Sequence, residues 1–293
     1  MPSLASFSRR SENSDMSVVL IPCTVGILTF NNEATLNRAL DSVEGFAEVI
    51  ISDGGSTDET LSIARSRGVQ ILSQDTACQD PSGRLIDFAA AMNQMVESAS
   101  QPWFYKLDSD ECLSLSLMNE LRLALTSSDE IDAFQVPFRY VVNDVVIEQA
   151  TTYPAYEPRL FRIGSGLRYE RPVHEVLPIV DTRTGALLQP HLKPLPTARF
   201  MARKWVHYLA LEARSNKGSG LDEWRQNSLR RHRKSAKYLI WKYSKILRSR
   251  QGPRLPARYE LLRVANDLAA IVVTGIAAVL RPAQVSDNGG GQP

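Results

Sequence analysis

Short apolar runs alternate with helical patterns between residues 25 and 108, and this alternation constrains the fold more than any other feature. Strands rich in β-branched and aromatic residues are predicted at 25–30, 48–52, 69–73 and 103–108. Helices are predicted between them at 33–43, from a capping box formed by Ser56 and Glu59 to Gly68, and at 85–100. Near-continuous apolar strands separated by helices are typical of a mostly parallel sheet covered on both faces. We therefore predict an α/β fold that binds ligands at the carboxyl ends of its strands.

Polar residues stand at three of these strand ends. They follow the first strand at 29–32, the second at 53–56 and the fourth at 108–110. Alternate residues of a strand face the same side, so Asp108 and Asp110 can converge. Two convergent carboxylates suit a hard divalent cation, which removes their mutual repulsion and can hold phosphate oxygens. A solvated turn is the alternative for these acids, and a turn or cap residue ahead of Ser56 is the alternative for Asp53.

The pattern changes after about residue 130. Segments interrupted by Pro and Gly predict a mixed or antiparallel addition to the sheet, with strands at 133–142, 144–149, 157–163 and 167–177. The Pro-rich segment 190–196 predicts an extended loop, and the chain is predicted helical from about 205 to 282. These patterns predict four regions: a flexible tail at 1–22, an α/β domain at 23–212, a basic helical region at 213–282 and a disordered tail at 283–293.

Composition narrows the class of protein. The chain has 293 residues, 43% of them hydrophobic, which suffices for one large domain with an appendage, and a net charge of +2 gives no global reason to expect nucleic acid. Cys23, Cys78 and Cys112 have no metal-ligand spacing, so reduced thiols and a cytoplasmic location are expected. Residues 1–15 lack the apolar core of a signal peptide, and Met16 is an alternative start. The apolar run at 268–280 is shorter than the about 20 residues that cross a bilayer.

Four motifs in order carry a family resemblance. They read GILTFNNEATLNRALDSV, EVIISDGGSTDETLSIA, AAAMNQ and WFYKLDSDE. Together they resemble the nucleotide-sugar half of family 2 glycosyltransferases, which have the GT-A fold, a Rossmann-like α/β fold. Within them, LDSDE is similar to the DxD motif of that family. The later segments RLFR, VHE and WVHY resemble the branch that includes lipopolysaccharide-core β-glucosyltransferases. The resemblance covers about residues 23–210.

The resemblance implies roles for individual residues. It places a nucleotide sugar against Thr29, Phe30, Asn31, Glu33, Asp53, Asp108 and Arg159. It places a divalent cation, Mg²⁺ or Mn²⁺, on Asp108, Asp110 and His207. Packing or solvation is the alternative for Glu33, Arg159 and His207. Arg162 and Arg84 are further phosphate candidates.

Transfer with inversion needs a general base for the acceptor hydroxyl and stabilisation of the departing diphosphate. In an extended VHEV segment, His174 and Glu175 face opposite sides, so one of them can enter a cleft. The resemblance favours Glu175 as the base, and His174 is next in line. A packed His174 beside a solvated Glu175 is the structural alternative.

Residues 225–254 contain eleven Lys or Arg and no Asp or Glu. Trp241 and two tyrosines are interleaved with these cations, a mixture typical of a basic amphipathic helix on an anionic membrane surface. A helical cap over the acceptor site is the alternative. Nucleic acid would also match the charge, but no nucleic-acid-binding module accompanies it.

These observations predict an inverting, metal-dependent glycosyltransferase. Its donor would be a nucleoside-diphosphate sugar, UDP-linked, and its acceptor a cell-envelope glycan or lipid-linked saccharide at the cytoplasmic membrane face. Two alternatives remain. A nucleotidyltransferase would need a Gly-rich basic loop after the first strand, where TFNNEA stands. A degenerate fold kept as a membrane-bound scaffold would not need the acids at 53, 108 and 110.

Overall fold

The computed structural model describes residues 19–81, 83–127, 130–173, 175–180 and 182–280. Its strands are β1 Ile21–Thr29, β2 Phe46–Asp53, β3 Gln70–Ser73, β4 Trp103–Asp108, β5 Cys112–Leu113, β6 Ala133–Val142, β7 Val145–Val146, β8 Tyr156–Arg162, β9 Thr184–Ala186 and β10 His191–Pro194. Its helices are α1 Glu33–Asp41, α2 Thr60–Ser66, α3 Phe88–Ser98, α4 Leu115–Ser127, α5 Ala198–Ser215, α6 Leu221–Trp224, α7 Arg230–Arg248 and α8 Ala257–Val279. His174, Met16, the predicted tail at 283–293 and most of the predicted tail at 1–22 lie outside the described residues.

The chain divides into two compact units that interleave along the sequence. The first unit runs up to Ser109 and adds Leu115–Phe134 and Pro158–Gly185. The second comprises Asp110–Ser114, Gln135–Glu157 and the chain from Ala186 onward.

The first unit contains the predicted parallel sheet. Its strand order is β3-β2-β1-β4, all parallel, and β8 joins β4 in the antiparallel direction. Helices α3 and α4 contact β1 of this sheet. A fully buried core joins α3 to the strands through Met92, Met95, Ile50, Phe104 and Phe161. The α/β fold with an antiparallel addition is therefore confirmed.

One glycine in β1 is required by the packing of this core. A Cβ at Gly26 would lie 2.2 Å from Cζ of Phe104, so a side chain there would displace the aromatic ring from the sheet. Phe104 packs against Phe161 of β8 with ring centroids 5.6 Å apart. Gly26 thus allows an aromatic pair to fill the face of the sheet.

The second unit combines a small sheet with long helices. Strand β6 pairs with β10 in parallel and with β7 as a hairpin, and β10 pairs with β5 in the antiparallel direction. Helix α6 passes through a π-helical turn, Arg225–Leu229, into α7. Helix α8 packs against both α5 and α7. The C-terminal helical region is therefore confirmed, and it begins at Ala198 rather than at about residue 205.

Two strand predictions were wrong. Residues 167–177 were predicted as a strand. Their described part, 167–173 and 175–177, is irregular apart from one bridge between Glu170 and Val176, because Pro172 and the positive φ of 69° at Arg171 interrupt the extended backbone. The predicted loop at 190–196 instead contains β10, because its backbone finds partners in both β5 and β6. Helix α4 was not predicted from the sequence, and β7 is shorter than the strand predicted at 144–149.

The predicted capping box of α2 was also wrong. The helix begins at Thr60, and no side-chain hydrogen bond caps it. Ser56 is unavailable for capping because its hydroxyl donates to the carboxylate of Asp53 at 2.6 Å.

Helix α8 is longer than its apolar run. It has 23 residues and is long and apolar enough, by length and composition, to cross a membrane. The apolar run at 268–280 was expected to be too short to cross a membrane. The helix that contains it is long enough, so that expectation is wrong as far as length is concerned.

Candidate active site

The carboxyl ends of the parallel strands of the first unit lie in register. Thr29 at the end of β1 is paired with Asp53 at the end of β2, and Asp53 is paired with Ser73 at the end of β3. On the other side of β1, Leu28 is paired with Asp108 at the end of β4. The polar strand ends identified in the sequence therefore share one edge of the sheet.

The side chain of Asp53 organises the loop after β2. Its Oδ1 accepts hydrogen bonds from the hydroxyls of Thr29 at 2.9 Å and Ser56 at 2.6 Å. Its Oδ2 accepts from the backbone N–H groups of Gly55 and Ser56, both at 2.8 Å. Gly55 has a φ of 89°, a conformation that favours glycine. This observation favours the turn interpretation of Asp53, and recognition of a base by its carboxylate stays a prediction.

Asn31 and Glu33 tie the loop after β1 to the loop after β2. The backbone N–H of Asn31 donates to the Ser56 hydroxyl, and its side-chain oxygen accepts from the N–H of Thr57, both at 2.9 Å. A carboxylate oxygen of Glu33 accepts from the N–H of Glu59 at 3.1 Å. These side chains hold two loops together at the sheet edge, and contact with a nucleotide remains predicted for both residues.

A cavity of about 350 Å³ opens beside these loops. Its lining includes Thr29, Phe30, Gln74, Arg84 and Phe88. Phe30 is 56% exposed although it is aromatic, so its ring offers a surface on which a planar ligand can stack. The guanidinium of Arg84 is held by the carboxylate of Asp80 at 3.1 Å.

Gln74 supplies a polar group to the lining of this cavity, and the sequence analysis did not select it. The residue is buried, and its amide nitrogen donates to the carbonyl of Ser52 at 3.3 Å. Its amide oxygen, Oε1, has no hydrogen-bond partner within the described part of the chain. A buried acceptor without a partner is costly, so a ligand N–H in the cavity would satisfy it.

Four charged side chains of the first unit meet at the end of β4. Asp108 forms an ion pair with the buried Arg159 at 3.3 Å, and its other carboxylate oxygen lies 3.8 Å from Nζ of Lys106. Lys106 donates a short hydrogen bond to the carboxylate of Glu175. Positive and negative groups alternate along the series Glu175, Lys106, Asp108, Arg159. This alternation allows all of them except Asp108, which is 42% exposed, to be largely buried. Arg159 thus lies at the site, whereas Arg162 packs over the ring of Trp103.

Asn93 fixes the segment that carries Glu175. Its side-chain oxygen accepts from the N–H of Tyr169, and its side-chain nitrogen donates to the Tyr169 carbonyl, both at 2.9 Å. The side-chain amide of Asn93 thus makes the two hydrogen bonds that a neighbouring strand would make to Tyr169. These bonds satisfy backbone groups that the irregular segment cannot pair in a sheet. Burial raises the pKa of the Tyr169 hydroxyl well above its ordinary value, so the group is neutral. Asn93 lies in the AAAMNQ motif, but nothing local in that motif predicts its contact with Tyr169.

The remaining predicted residues belong to the second unit. Asp110 is exposed in the turn that follows β4. His207 is exposed on α5, with its ring beside that of Tyr208. A metal-binding role for either residue stays a prediction.

A second cluster of possible metal ligands lies in the same unit and was not predicted. One ligand atom each from Glu111, Glu157 and His191 lies within 4.8 Å of the others. The ammonium group of Lys193 lies 3.0 Å from both glutamates. The single positive charge of Lys193 can offset only one of these two carboxylates, so the cluster keeps the donor set of a possible metal site.

Comparisons with known proteins identify the family. The family model described as "Glycosyl transferase family 2" matches residues 24–179, which include every predicted site residue except His207. The lipopolysaccharide core biosynthesis glycosyltransferase LpsC of Rhizobium meliloti is 31% identical over 60% of this chain and 64% of its own length. The glycosyltransferase SunS of Bacillus subtilis is 26% identical over 56% of this chain and 36% of its own length. The chain thus covers less than two thirds of either relative.

Solved structures also resemble this chain. Residues 1–349 of S. aureus TarS, crystallised with UDP-GlcNAc, match 63% of this chain and 66% of that one, at 14% identity and a TM-score of 0.43. Glucosyl-3-phosphoglycerate synthase of Mycobacterium tuberculosis, crystallised with Mn²⁺, UDP and glucosyl-3-phosphoglycerate, matches 40% of this chain and 44% of that one, at 22% identity and a TM-score of 0.33.

Proposed function

Because the chain belongs to glycosyl transferase family 2, we propose that it transfers a sugar from a nucleoside-diphosphate sugar to a saccharide acceptor. The family match over more than half of the chain confirms the predicted family and its GT-A-type α/β fold. The observation that carries the proposed reaction is the buried charge series in which Lys106 joins Glu175 to Asp108 at the end of β4.

The cavity beside β1 and β2 would receive the nucleotide. Phe30 offers a ring for stacking on a base, and the Oε1 atom of Gln74 offers an acceptor for a base N–H. Thr29, Asn31, Glu33 and Asp53 would shape this end of the site through the loops that they hold together. A uracil base presents an N–H between two carbonyls, which suits one acceptor beside an aromatic surface. We therefore propose a UDP-linked donor.

A divalent cation, Mg²⁺ or Mn²⁺, fits the donor chemistry of this region. Asp108 and Asp110, two residues apart in the chain, supply the carboxylate oxygens that hard cations prefer. Because Arg159 and Lys106 already balance the charge of Asp108, we assign the ion mainly to Asp110 and propose that Asp108 also contacts the ribose. When bound, the cation neutralises the charge of the departing diphosphate. We keep His207 as a proposed additional ligand.

Glu175 is the proposed general base. Its carboxylate would accept the proton of the acceptor hydroxyl while that oxygen attacks the anomeric carbon. The bond from this carbon to the diphosphate oxygen breaks in the same step, so the configuration inverts and the nucleoside diphosphate leaves with its bonding electrons. Lys106 holds the base in place, and Arg159 holds Asp108. We keep His174 as the second candidate for the base.

The acceptor is proposed to be a cell-envelope glycan or a lipid-linked saccharide. The similarity to LpsC, whose name places it in lipopolysaccharide core biosynthesis, supports this class. The eleven cations between Arg225 and Arg254 would hold the enzyme peripherally against the anionic cytoplasmic face of a membrane, where such acceptors are made. We propose no nucleic-acid partner.

Ligand-dependent stabilisation tests the donor and the cation together. The melting temperature should rise with UDP-sugars in the presence of Mn²⁺ and rise less without it, because a ligand that binds the folded state stabilises it. Asp110→Ala should remove the contribution of Mn²⁺ without changing the melting temperature of the unliganded protein. The matched control is Asp222→Ala, which removes another exposed acid and should behave as wild type. Equal Mn²⁺-dependent stabilisation of the Asp110→Ala variant would contradict the cation assignment, and donor binding without transfer to any acceptor would favour the scaffold.

A further inference from the structure

Helix α8 is packed with its polar side inward. Its buried residues include Glu260, Asp267 and Thr274, together with small alanines. Its exposed residues include six large aliphatic side chains, each more than half exposed: Leu261, Leu268, Val272, Ile276, Val279 and Leu280. These six are called the α8 stripe below. Their spacing of three, four and seven residues places most of them on one side of the helix.

These three inward polar groups of α8 have partners in the second unit. Asp267 accepts from Nδ1 of His232 at 2.8 Å, and Glu260 accepts from the backbone N–H of Thr151 at 2.8 Å. The hydroxyl of Thr274 accepts from the indole N–H of Trp224 at 3.0 Å. Three separate contacts thus hold the polar side of α8 inward, and as a result its apolar side faces outward.

A helix on the surface of a water-soluble protein shows the opposite arrangement, with its apolar side toward the core. The α8 stripe extends over nineteen residue steps, or about 28 Å at about 1.5 Å per residue. Isolated apolar residues on a surface need no explanation, but a continuous stripe of this length marks an interaction site.

The composition of the second unit indicates what covers the stripe. Exposed cations are dense on the neighbouring α7 and the turn before it, including Arg225, Arg230, Arg233, Lys234 and Lys237. No acid lies between residues 225 and 254, so a second copy of this chain would bring like charges together. Anionic lipid headgroups complement these cations, and acyl chains complement the aliphatic stripe.

The packing of α8 also indicates how it meets the bilayer. Helices α5 and α7 cover its inner side, and α7 carries too many charges to enter hydrocarbon. Therefore α8 cannot be surrounded by lipid in this fold, although its length would suffice for a span. We propose that α8 lies in the plane of an anionic membrane surface, with the α8 stripe inserted at the boundary between headgroups and acyl chains.

This inference goes beyond a peripheral contact through residues 225–254, because it assigns binding to an apolar component that salt does not screen. The test is co-sedimentation with vesicles of phosphatidylcholine and phosphatidylglycerol, at low salt and at about 1 M NaCl, where the Debye length is about 3 Å. Wild-type protein should bind at low salt and retain a bound fraction at high salt. The variant Leu268→Ser, Val272→Ser, Ile276→Ser should lose this salt-resistant fraction, with at least tenfold weaker binding.

Two controls accompany this variant. Leu115→Ser, Leu123→Ser, Val180→Ser removes three apolar side chains of the first unit that are more exposed than those of the stripe, and this variant should bind as wild type. Arg230→Glu, Arg233→Glu, Lys234→Glu should weaken binding mainly at low salt. Circular dichroism checks that each variant is folded.

Three results would overturn the proposal. They are complete release of the wild type by high salt, unchanged binding by the stripe variant, and a lipid-free wild-type dimer that the stripe variant converts to monomers. Vesicle binding needs no nucleotide sugar, so its failure leaves the proposed transferase reaction untouched. Conversely, loss of donor binding leaves this inference untouched.

Discussion

The two units of the molecule use the same residue types in opposite ways. In the first unit, apolar strands and α3 form a buried core, and charged residues collect at the end of β4. In the helices of the second unit, charged residues lie between helices, and α8 turns large aliphatic side chains outward.

This difference indicates what each set of charges does. A charge series at the carboxyl end of a parallel sheet stands where open α/β folds bind ligands, so its members are available for chemistry. Charges enclosed between helices replace the apolar contacts that would otherwise hold those helices together. We therefore expect substitutions in the first set to change activity, and substitutions in the second set to change stability.

The largest expected effect is that of Glu175→Gln. The amide cannot accept the proton of the acceptor hydroxyl, so the transfer rate should fall by roughly 10²–10⁴-fold, while donor affinity stays near wild type. Initial rates with saturating donor measure this loss. Glu170→Gln, an exposed acid five residues earlier, is the control and should keep its activity. Near-normal turnover of the Glu175→Gln variant would move the base elsewhere, with His174 next.

Asp53 tests the comparison between the two units. This acid belongs to the first unit, yet it accepts four hydrogen bonds from its own loops. Asp53→Asn replaces an acceptor oxygen by a donor nitrogen and leaves buried groups without a partner, which should cost about 2–4 kcal/mol of unfolding free energy. Urea denaturation measures this cost, and Asp41→Asn at an exposed ion pair should cost less than about 1 kcal/mol. Unchanged stability with lost donor binding would instead make Asp53 a ligand contact.

The sequence could predict the strand-end residues because the signals are local. Each parallel strand shows as an apolar run, and the rule that ligands bind at strand ends selects Thr29, Asp53 and Asp108 without knowledge of their partners. Local spacing also predicted a capping box at Ser56. That prediction was wrong because the Ser56 hydroxyl donates to the carboxylate of Asp53. Local spacing thus predicts an element more reliably than the partner of a side chain.

The contacts that complete the site could not be predicted in this way. Lys106 and Glu175 are 69 residues apart, and Asn93 and Tyr169 are 76 residues apart, so no spacing relates them. The inverted packing of α8 is equally hidden, because its apolar periodicity is the same whether the stripe faces inward or outward. The partners of Glu260, Asp267 and Thr274, which lie far from them in the sequence, specify the orientation.

Substitution of Lys106 should lower the transfer rate less than substitution of Glu175 does. Lys106→Met keeps the length of the side chain but removes the cation between Glu175 and Asp108, so both acids lose a fixed partner. Transfer should fall by about tenfold, equivalent to about 1.4 kcal/mol of transition-state stabilisation. Lys106→Arg should restore part of the rate, whereas a role in packing alone would not respond to a restored charge. Lys217→Met, at an exposed position, is the control.

The smallest effect concerns Glu212, which binds three residues of the second unit. It lies 2.8 Å from Nε2 of His232, accepts from the Ser228 hydroxyl at 3.3 Å and forms an ion pair with Arg231. Both ring nitrogens of His232 lie 2.8 Å from carboxylate oxygens, of Glu212 and of Asp267. Burial alone would raise the pKa of Glu212, but the hydrogen bond and charge of His232 lower it below its ordinary value of 4.5.

A carboxyl with a lowered pKa in the folded state stabilises the fold at pH values above its unfolded pKa, and this stabilisation is lost as the pH falls through the folded value. Glu212→Gln should therefore lower the melting temperature near pH 7, and its difference from wild type should shrink below about pH 4.5. The group is partly solvated, so the effect should stay below about 1 kcal/mol. Glu223→Gln on α6 is the exposed control, and transfer by folded Glu212→Gln protein should remain normal. A difference that does not change with pH would show that Glu212 acts through its shape rather than its charge, and a loss of transfer would remove the distinction between the two units.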